Sequence, residues 1–161
     1  MQGIILFVVV CLYWVAPYIL ISSGTEPPIP LVAAAISLNI FGIFFHYSSD
    51  AQKYYTLKYR PGLITEGFFA RCRNTNYLGE IFIYLSFAML AQHWLPYLIL
   101  GGFFALIFIP NMLKKDKSLS RYLEFTEYKA NSGLIIPQLW GDNSLNQEAQ
   151  KVSEESSSNI Y

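Results

Sequence analysis

Three long segments without formal charge constrain the fold of this chain more than any other feature. They cover residues 3–21, 27–49 and 81–113. A helix rises about 1.5 Å per residue, so each of the first two can cross the roughly 30 Å hydrocarbon core of a bilayer. The third is too long for one crossing and is interrupted by a polar turn near residues 92–96. The pattern predicts four membrane spans, near residues 3–21, 29–47, 77–92 and 95–113.

The composition agrees with a membrane protein, since 53% of the residues are hydrophobic and only 14% are charged. An average soluble domain has about 25% charged residues. We therefore expect an all-α fold, a polytopic membrane helix bundle with about four transmembrane helices and short cytoplasmic helices. The single membrane domain is expected to cover residues 1–141. A tail at residues 142–161, rich in Ser, Asn, Gln and Glu, is expected to be disordered and cytoplasmic.

The basic residues predict how the spans are oriented. All eleven Lys and Arg lie either between Lys53 and Arg73 or after Leu113. Because Lys and Arg beside spans are retained in the cytoplasm, both termini and the middle loop are expected there. We expect an integral protein of a bacterial inner membrane. The first three residues carry no basic side chain, so the first segment is predicted to be a span and not a cleaved signal peptide.

Several smaller expectations concern packing within the bundle. Asn39 is expected to hydrogen-bond a neighbouring helix, and His46 is expected at the membrane interface. The aromatic-rich segment at residues 48–76 is expected to fold against the spans. The cysteines, Cys11 in a span and Cys72 in the loop, should lie at different depths, so neither a disulfide nor a metal site is predicted.

The segment after the fourth predicted span is expected to contain a short helix. Aromatic residues recur there at helical spacing within residues 120–131. This spacing predicts an amphipathic helix. Gly133 is expected to cap the end of that helix.

The most polar stretch at a predicted span boundary is residues 73–80, RNTNYLGE. Asn76 and Glu80 are four residues apart and would share one face of a helix. An unpaired carboxylate at the edge of hydrocarbon is costly, so Glu80 is the candidate catalytic residue. In its protonated form it could donate a hydrogen bond to a substrate carbonyl. The alternative is a structural pair in which Glu80 accepts from Arg73 or Lys53.

Basic residues around this stretch are suited to an anionic cofactor. The cluster consists of Lys53, Lys58, Arg60, Arg71 and Arg73. Guanidinium groups bind phosphate or carboxylate with two hydrogen bonds, which favours a cofactor role for Arg73. The alternative is the positive-inside rule, which needs no ligand and accounts for Lys58 and Arg60.

The sequence from about residue 50 to 139 resembles the C-terminal domain of the steroid 5-alpha-reductase family. NYLGE at residues 76–80 is followed by an aromatic-rich span and a short turn containing Trp and Pro, as in that family. Asp50 with Lys53 resembles its Asp-x-x-Lys feature. The tail of its bacterial relatives resembles three further segments here, residues 117–119, 127–129 and 134–137.

This resemblance implies a membrane reductase that transfers hydride from NADPH to a C=C bond of a lipophilic substrate, which is steroid-, isoprenoid- or acyl-like. By position, Asn76 would contact the nicotinamide carboxamide. Glu80 would hydrogen-bond the substrate carbonyl and stabilise the developing enolate. The cofactor phosphates and adenosine would be held by Arg73, Lys53, Tyr77 and Tyr128. The partners implied are the lipophilic small molecule and membrane lipids, with no nucleic acid.

The chain also departs from that family at two points, and a second enzyme class is the alternative. Asn74 and Thr75 stand where His and Pro are commoner among relatives, and family reductases usually have further N-terminal spans that supply a catalytic tyrosine. Isoprenylcysteine carboxyl and phospholipid N-methyltransferases are small, and they bind S-adenosylmethionine with a similar Arg-x-x-x-Tyr-x-Gly core. Against this alternative, the paired glutamates that those enzymes have near the end of the last span are replaced here by Lys115 and Asp116. A non-catalytic membrane scaffold is the third possibility.

Overall fold

The computed structural model of the protein describes residues 14–139, and every regular element within them is helical. This confirms the predicted all-α class for that part of the chain. The elements in order are α1 Trp14–Ser23, α2 Ile29–Tyr59, a 3₁₀ turn Gly67–Phe69, α3 Thr75–Ala91, α4 Trp94–Phe103, a π-helical turn Phe104–Phe108, α5 Ile109–Leu119 and α6 Phe125–Ala130. The predicted tail at 142–161 and the first part of the predicted span 3–21 lie outside the described residues.

Helix α2 is much longer than the predicted second span at residues 29–47. It runs for 31 residues to Tyr59, which is about 46 Å at the usual rise of an α-helix. It ends just before Pro61, because a proline disfavours helical conformation in the residue that precedes it. Residues 48–59, predicted to begin the connector between spans, therefore continue the helix.

Helices α2 and α3 cross where two glycines face each other. A Cβ atom on Gly79 would lie 2.5 Å from the backbone nitrogen of His46 and 2.7 Å from the carbonyl oxygen of Gly42. The two backbones therefore touch, as small residues permit in membrane helix packing. Across the same interface, Asn39 Nδ2 donates to Ser86 Oγ at 2.9 Å. This bond confirms the interhelical contact predicted for Asn39.

The break between α3 and α4 lies inside the predicted polar turn. Gln92 adopts a left-handed backbone conformation with φ 47° and ends α3. His93 Nδ1 then accepts a hydrogen bond from the backbone N–H of Leu95 at 3.1 Å and caps α4. From that cap, α4, the π-helical turn and α5 form one continuous helix, Trp94–Leu119.

Two helices are long and apolar enough to cross a membrane, Ile29–Tyr59 and Trp94–Leu119. Many of their large apolar side chains face outward and are more than half exposed, among them Ile36, Phe41, Leu98 and Leu106. Such a surface is unfavourable in water and suits contact with lipid. The fold thus supports a membrane protein, and the number of four spans stays a prediction.

The loop after α2 folds back onto that helix. Gln52 Oε1 accepts from the backbone N–H of Phe68 and its Nε2 donates to the carbonyl of Glu66, each at 2.9 Å. The Phe68 ring also packs edge-on against the rings of Phe44 and Phe45. These contacts confirm that the aromatic-rich segment folds against the helices.

The chain after α5 differs from the prediction. The helix expected at residues 120–131 is limited to α6, because the residues before it form turns with i to i+3 hydrogen bonds. The cap predicted at Gly133 is wrong. Gly133 instead donates its N–H to the carbonyl of Arg71 at 3.0 Å and accepts from the N–H of Arg73 at 2.9 Å. A Cβ atom there would lie 1.8 Å from the carbonyl oxygen of Ile136, so the tight turn requires glycine.

Candidate functional site

Arg73 is the centre of a buried hydrogen-bond network just before α3. Its side chain forms an ion pair with Asp116, with Nη2 at 3.2 Å from Oδ2 and Nε donating to Oδ1 at 3.3 Å. Its Nη1 donates to the backbone carbonyls of Lys129 and Ser132 and to Ser132 Oγ. The guanidinium therefore joins the start of α3 to α5 and to the end of α6. Its predicted role in holding a cofactor phosphate stays a prediction, and most of its N–H groups are already used.

Asn74 and Lys115 extend this network. The Asn74 side chain is fully buried; its Nδ2 donates to the carbonyl of Leu134 at 2.8 Å, and its Oδ1 accepts from Lys115 Nζ at 3.1 Å. Lys115 Nζ also donates to the Arg73 carbonyl at 2.7 Å and lies over the ring of Phe69. Neither residue had a role predicted from the sequence. The sequence signal for Asn74 was that it stands where His is commoner among relatives.

Tyr128 joins α6 to the 3₁₀ turn Gly67–Phe69. Its hydroxyl donates to the carbonyl oxygen of Phe69 at 2.7 Å, and the side chain is buried. Burial raises the pKa of Tyr128 to about 12, because an ionised phenolate would lose its hydration, and the nearby Arg73 only partly opposes this effect. The predicted contact of Tyr128 with a cofactor stays a prediction.

The raised pKa of Tyr128 predicts a loss of stability in alkali. An unfolded tyrosine releases its proton near pH 10, whereas folded Tyr128 keeps it to about pH 12. Between these values only the unfolded state loses the proton, so the free energy of unfolding falls as pH rises, by at most about 1.4 kcal/mol per pH unit. Thermal unfolding in detergent from pH 8 to 12 should show a shallower fall for Tyr128→Phe than for wild type. The exposed control Tyr54→Phe should keep the wild-type slope. The same wild-type slope in Tyr128→Phe would contradict the raised pKa of Tyr128.

A small cavity of about 70 Å³ lies beside the Arg73 network. Its basic lining side chains are Lys53, Arg73 and Lys115, and the rest of its wall includes Tyr128 and apolar residues of α2 and the following loop. Because about 10–15 Å³ of such cavity volume holds one water molecule, the cavity suits a small anionic group and not a whole dinucleotide. Among the described residues, Lys53 makes no hydrogen bond or ion pair, so its ammonium group can bind an anion.

Asn76 lies in the first turn of α3 and presents an unusual polar atom. Its side-chain Oδ1 is buried and has no hydrogen-bond partner within residues 14–139. Its backbone carbonyl faces Nδ1 of His46 at 3.2 Å. The neighbouring Tyr77 packs instead toward the continuous helix, with its ring centroid 4.8 Å from that of Phe108. A buried acceptor without a donor costs about 1–3 kcal/mol, so Asn76 Oδ1 marks a place where a ligand donor would be stabilised.

Glu80 lies one helical turn after Asn76 and is partly buried. The structural pair considered as an alternative is absent from the described part of the chain, because Arg73 pairs with Asp116 and Glu80 forms no ion pair there. His46 and Asp50 of α2 lie close enough to interact with Glu80 electrostatically. Glu80 therefore lies near titratable groups of α2 and, within the described chain, pairs with neither Arg73 nor Lys53.

The polar face of α2 was missed by the sequence analysis. His46, Asp50 and Lys53 are spaced by four and three residues and so lie along one side of that helix. Contact between the backbones at His46 and Gly79 places this side against the polar face of α3. The spacing was visible in the sequence, but three polar residues at helical spacing do not reveal which helix they face.

The fold and site together define a helical protein that has two helices of membrane length and a polar face between α2 and α3. A family model matches residues 1–132, and the chain belongs to that family, described as a protein of unknown function (DUF1295). This family is related to steroid 5-alpha-reductase-like proteins, which confirms the resemblance at that level. No curated protein matches the chain. The family match also covers residues before position 50. The motifs that carry the resemblance begin only at about residue 50.

Proposed function

We propose that the protein is an integral membrane reductase that transfers hydride from NADPH to a C=C bond of a lipophilic substrate. The observation that carries this proposal is the buried, unpartnered Oδ1 of Asn76, one helical turn from the Glu80 carboxyl, which has no ion-pair partner in the described chain. A ligand that bound at both residues would satisfy two polar groups at once. Membership in a family related to steroid 5-alpha-reductase-like proteins supports the same chemistry.

We also propose the finer membrane topology. Four spans would place residues 48–76 and both termini in the cytoplasm of a bacterial cell, where NADPH is available. The lipophilic substrate would reach Glu80 from the bilayer. Outward-facing apolar side chains on α2 and on the continuous helix Trp94–Leu119 support this placement.

The residues present fit a reduced nicotinamide dinucleotide at two points. Asn76 Oδ1 lacks a donor, and a carboxamide N–H would supply one. Lys53 borders the small cavity with its ammonium unpaired, as binding of a phosphate requires. Arg73 and Tyr128 would shape the wall of that cavity through the contacts they already make. When bound, the reduced nicotinamide supplies the hydride.

Glu80 would act on the substrate. In its protonated form it would donate a hydrogen bond to the carbonyl conjugated with the C=C bond and stabilise the negative charge that develops on that oxygen. Apolar side chains around α3 would exclude water, which strengthens this interaction. Because Glu80 would contact the substrate directly, it is the proposed catalytic residue.

Cofactor binding can be tested without knowing the substrate. The protein, purified in detergent, would be unfolded thermally with about 1 mM NADPH or about 1 mM S-adenosylmethionine, roughly 100-fold above a Kd of about 10 μM. We expect NADPH to raise the midpoint by several degrees and Asn76→Leu to abolish that rise. Stabilisation by S-adenosylmethionine alone would support a membrane methyltransferase of the isoprenylcysteine carboxyl or phospholipid type. No shift with either compound would contradict both enzymes.

Replacing Glu80 by Gln is expected to separate binding from reaction. The variant should keep its stabilisation by NADPH, because Glu80 faces the substrate. It should oxidise NADPH about 100-fold more slowly with a long-chain α,β-unsaturated ketone, because an amide cannot deliver a proton. Glu66→Gln, which removes an exposed carboxylate from the loop, is the control. Full turnover by Glu80→Gln would exclude the catalytic role of this residue.

A further inference from the structure

The position of the Asn76 side chain depends on the backbone of the first turn of α3. Asn76 is the second residue of that helix. Its Oδ1 is buried and has no hydrogen-bond partner among the described residues. The proposed contact between this oxygen and a nicotinamide carboxamide therefore requires that the backbone of the turn stay in place.

The residues just before Asn76 are held by contacts with the second half of the chain. Arg73 pairs with Asp116 of α5. Asn74 Nδ2 donates to the backbone carbonyl of Leu134 at 2.8 Å. Neither contact involves α2, so neither fixes the start of α3 relative to that helix.

His46 supplies a contact from α2. Its Nδ1 lies 3.2 Å from the backbone carbonyl oxygen of Asn76. A carbonyl can only accept, so Nδ1 must carry the proton and donate the hydrogen bond. The two backbones also touch here, since a Cβ atom on Gly79, one turn after Asn76, would lie 2.5 Å from His46 N. The imidazole therefore joins α2 to the backbone of the residue that carries the unpartnered Oδ1.

We propose that His46 is a positioning residue for the cofactor, a role that rests on the proposed reductase function. Its Nδ1–H holds the Asn76 carbonyl and thereby keeps Oδ1 where the carboxamide N–H would meet it. The N–H groups in the first turn of a helix lack partners inside the helix, so contacts from outside must hold this turn. Without the bond to His46, the turn would have to be ordered when the cofactor binds, and this ordering would weaken binding.

Two amide substitutions of His46 test which ring nitrogen holds Asn76. In His46→Asn the side-chain nitrogen is attached to Cγ, as Nδ1 is in histidine, so the donor is kept. In His46→Gln the nitrogen lies one carbon farther out, as Nε2 does, so the donor is displaced. We expect His46→Asn to bind NADPH about as tightly as wild type, and His46→Gln to bind it about 10-fold more weakly, which is about 1.4 kcal/mol. The thermal midpoint in detergent, measured against NADPH concentration, gives both affinities.

Asn39→Leu is the matched control for the loss of a hydrogen bond between α2 and α3. It removes the Asn39–Ser86 bond, which joins the same two helices about two turns away from His46. Its midpoint without cofactor should fall by a few degrees, but its affinity for NADPH should match wild type. Equal affinities of His46→Asn and His46→Gln would overturn the positioning role. An affinity loss in Asn39→Leu as large as in His46→Gln would overturn it as well.

The tautomer of His46 gives a second test, which needs no cofactor. The chain has two histidines, so full-length protein labelled with ¹⁵N in its imidazole rings and carrying His93→Asn reports on His46 alone. We expect the neutral ring to carry its proton on Nδ1, as the bond to the Asn76 carbonyl requires. A neutral ring with its proton on Nε2 would overturn the proposal, because Nδ1 could then not donate.

The outcomes separate this role from the reductase function. If NADPH stabilises wild type and both His46 variants equally, the positioning role is overturned and the reductase function stands. If only S-adenosylmethionine stabilises wild type, the reductase function fails, and tighter binding of that compound by His46→Asn than by His46→Gln would support the positioning role. If neither compound stabilises wild type, both are overturned.

Discussion

Replacing Arg73 by Met is expected to lower the free energy of unfolding by about 3–5 kcal/mol, the usual consequence of breaking a buried ion pair. The substitution leaves the Asp116 carboxylate buried without its partner and removes the donor from two carbonyls near the end of α6. In thermal unfolding in detergent, the midpoint should fall by about 10 °C. The effect should be large even if Arg73 contacts no cofactor.

The control for this prediction is another Arg–carboxylate pair. Arg60 pairs with Glu66 in the loop, and both side chains are mostly exposed. An exposed pair contributes only about 0–1 kcal/mol, so Arg60→Met should leave the midpoint nearly unchanged. The double variant Arg73→Met with Asp116→Leu should recover part of the loss, since it removes both buried charges. Equal, small effects of Arg73→Met and Arg60→Met would contradict the structural role of the buried pair.

Replacing Gly79 by Ala should disrupt the crossing of α2 and α3. The new methyl group would lie 2.5 Å from His46 N and 2.7 Å from the Gly42 carbonyl oxygen, both backbone atoms that no side-chain rotation can move. The helices must separate, which weakens the Asn39–Ser86 hydrogen bond and costs about 3 kcal/mol. The thermal midpoint in detergent should fall by several degrees.

A matched glycine tests whether this effect comes from the crossing. A Cβ atom on Gly101, in α4, would meet nothing within 4 Å. Because alanine favours a helix over glycine by about 1 kcal/mol, Gly101→Ala should leave stability unchanged or raise it. A Gly79→Ala variant as stable as Gly101→Ala would show that the two backbones are not in contact at this point.

The structure accounts for the two residues that depart from the family motif. Asn74 is fully buried and bonded to Leu134 and Lys115. Thr75 donates its hydroxyl to the carbonyls of Phe68 and Cys72. Their positions are unusual in the sequence, but their partners cannot be read from it, because those partners lie as far as 60 residues away in the chain.

The sequence by itself determined the helical class, the break near Gln92, and the shared face of Asn76 and Glu80. Each follows from local properties: length of apolar runs, turn-forming residues and the period of a helix. Only the tertiary structure decided that Arg73 pairs with Asp116 and that Glu80 lies near His46 and Asp50 without an ion pair in the described chain. Arg73 and Asp116 are 43 residues apart, and which of several carboxylates a buried guanidinium meets depends on how helices cross. The crossing of α2 and α3 likewise depends on the contact of two glycine backbones, which no local pattern reveals.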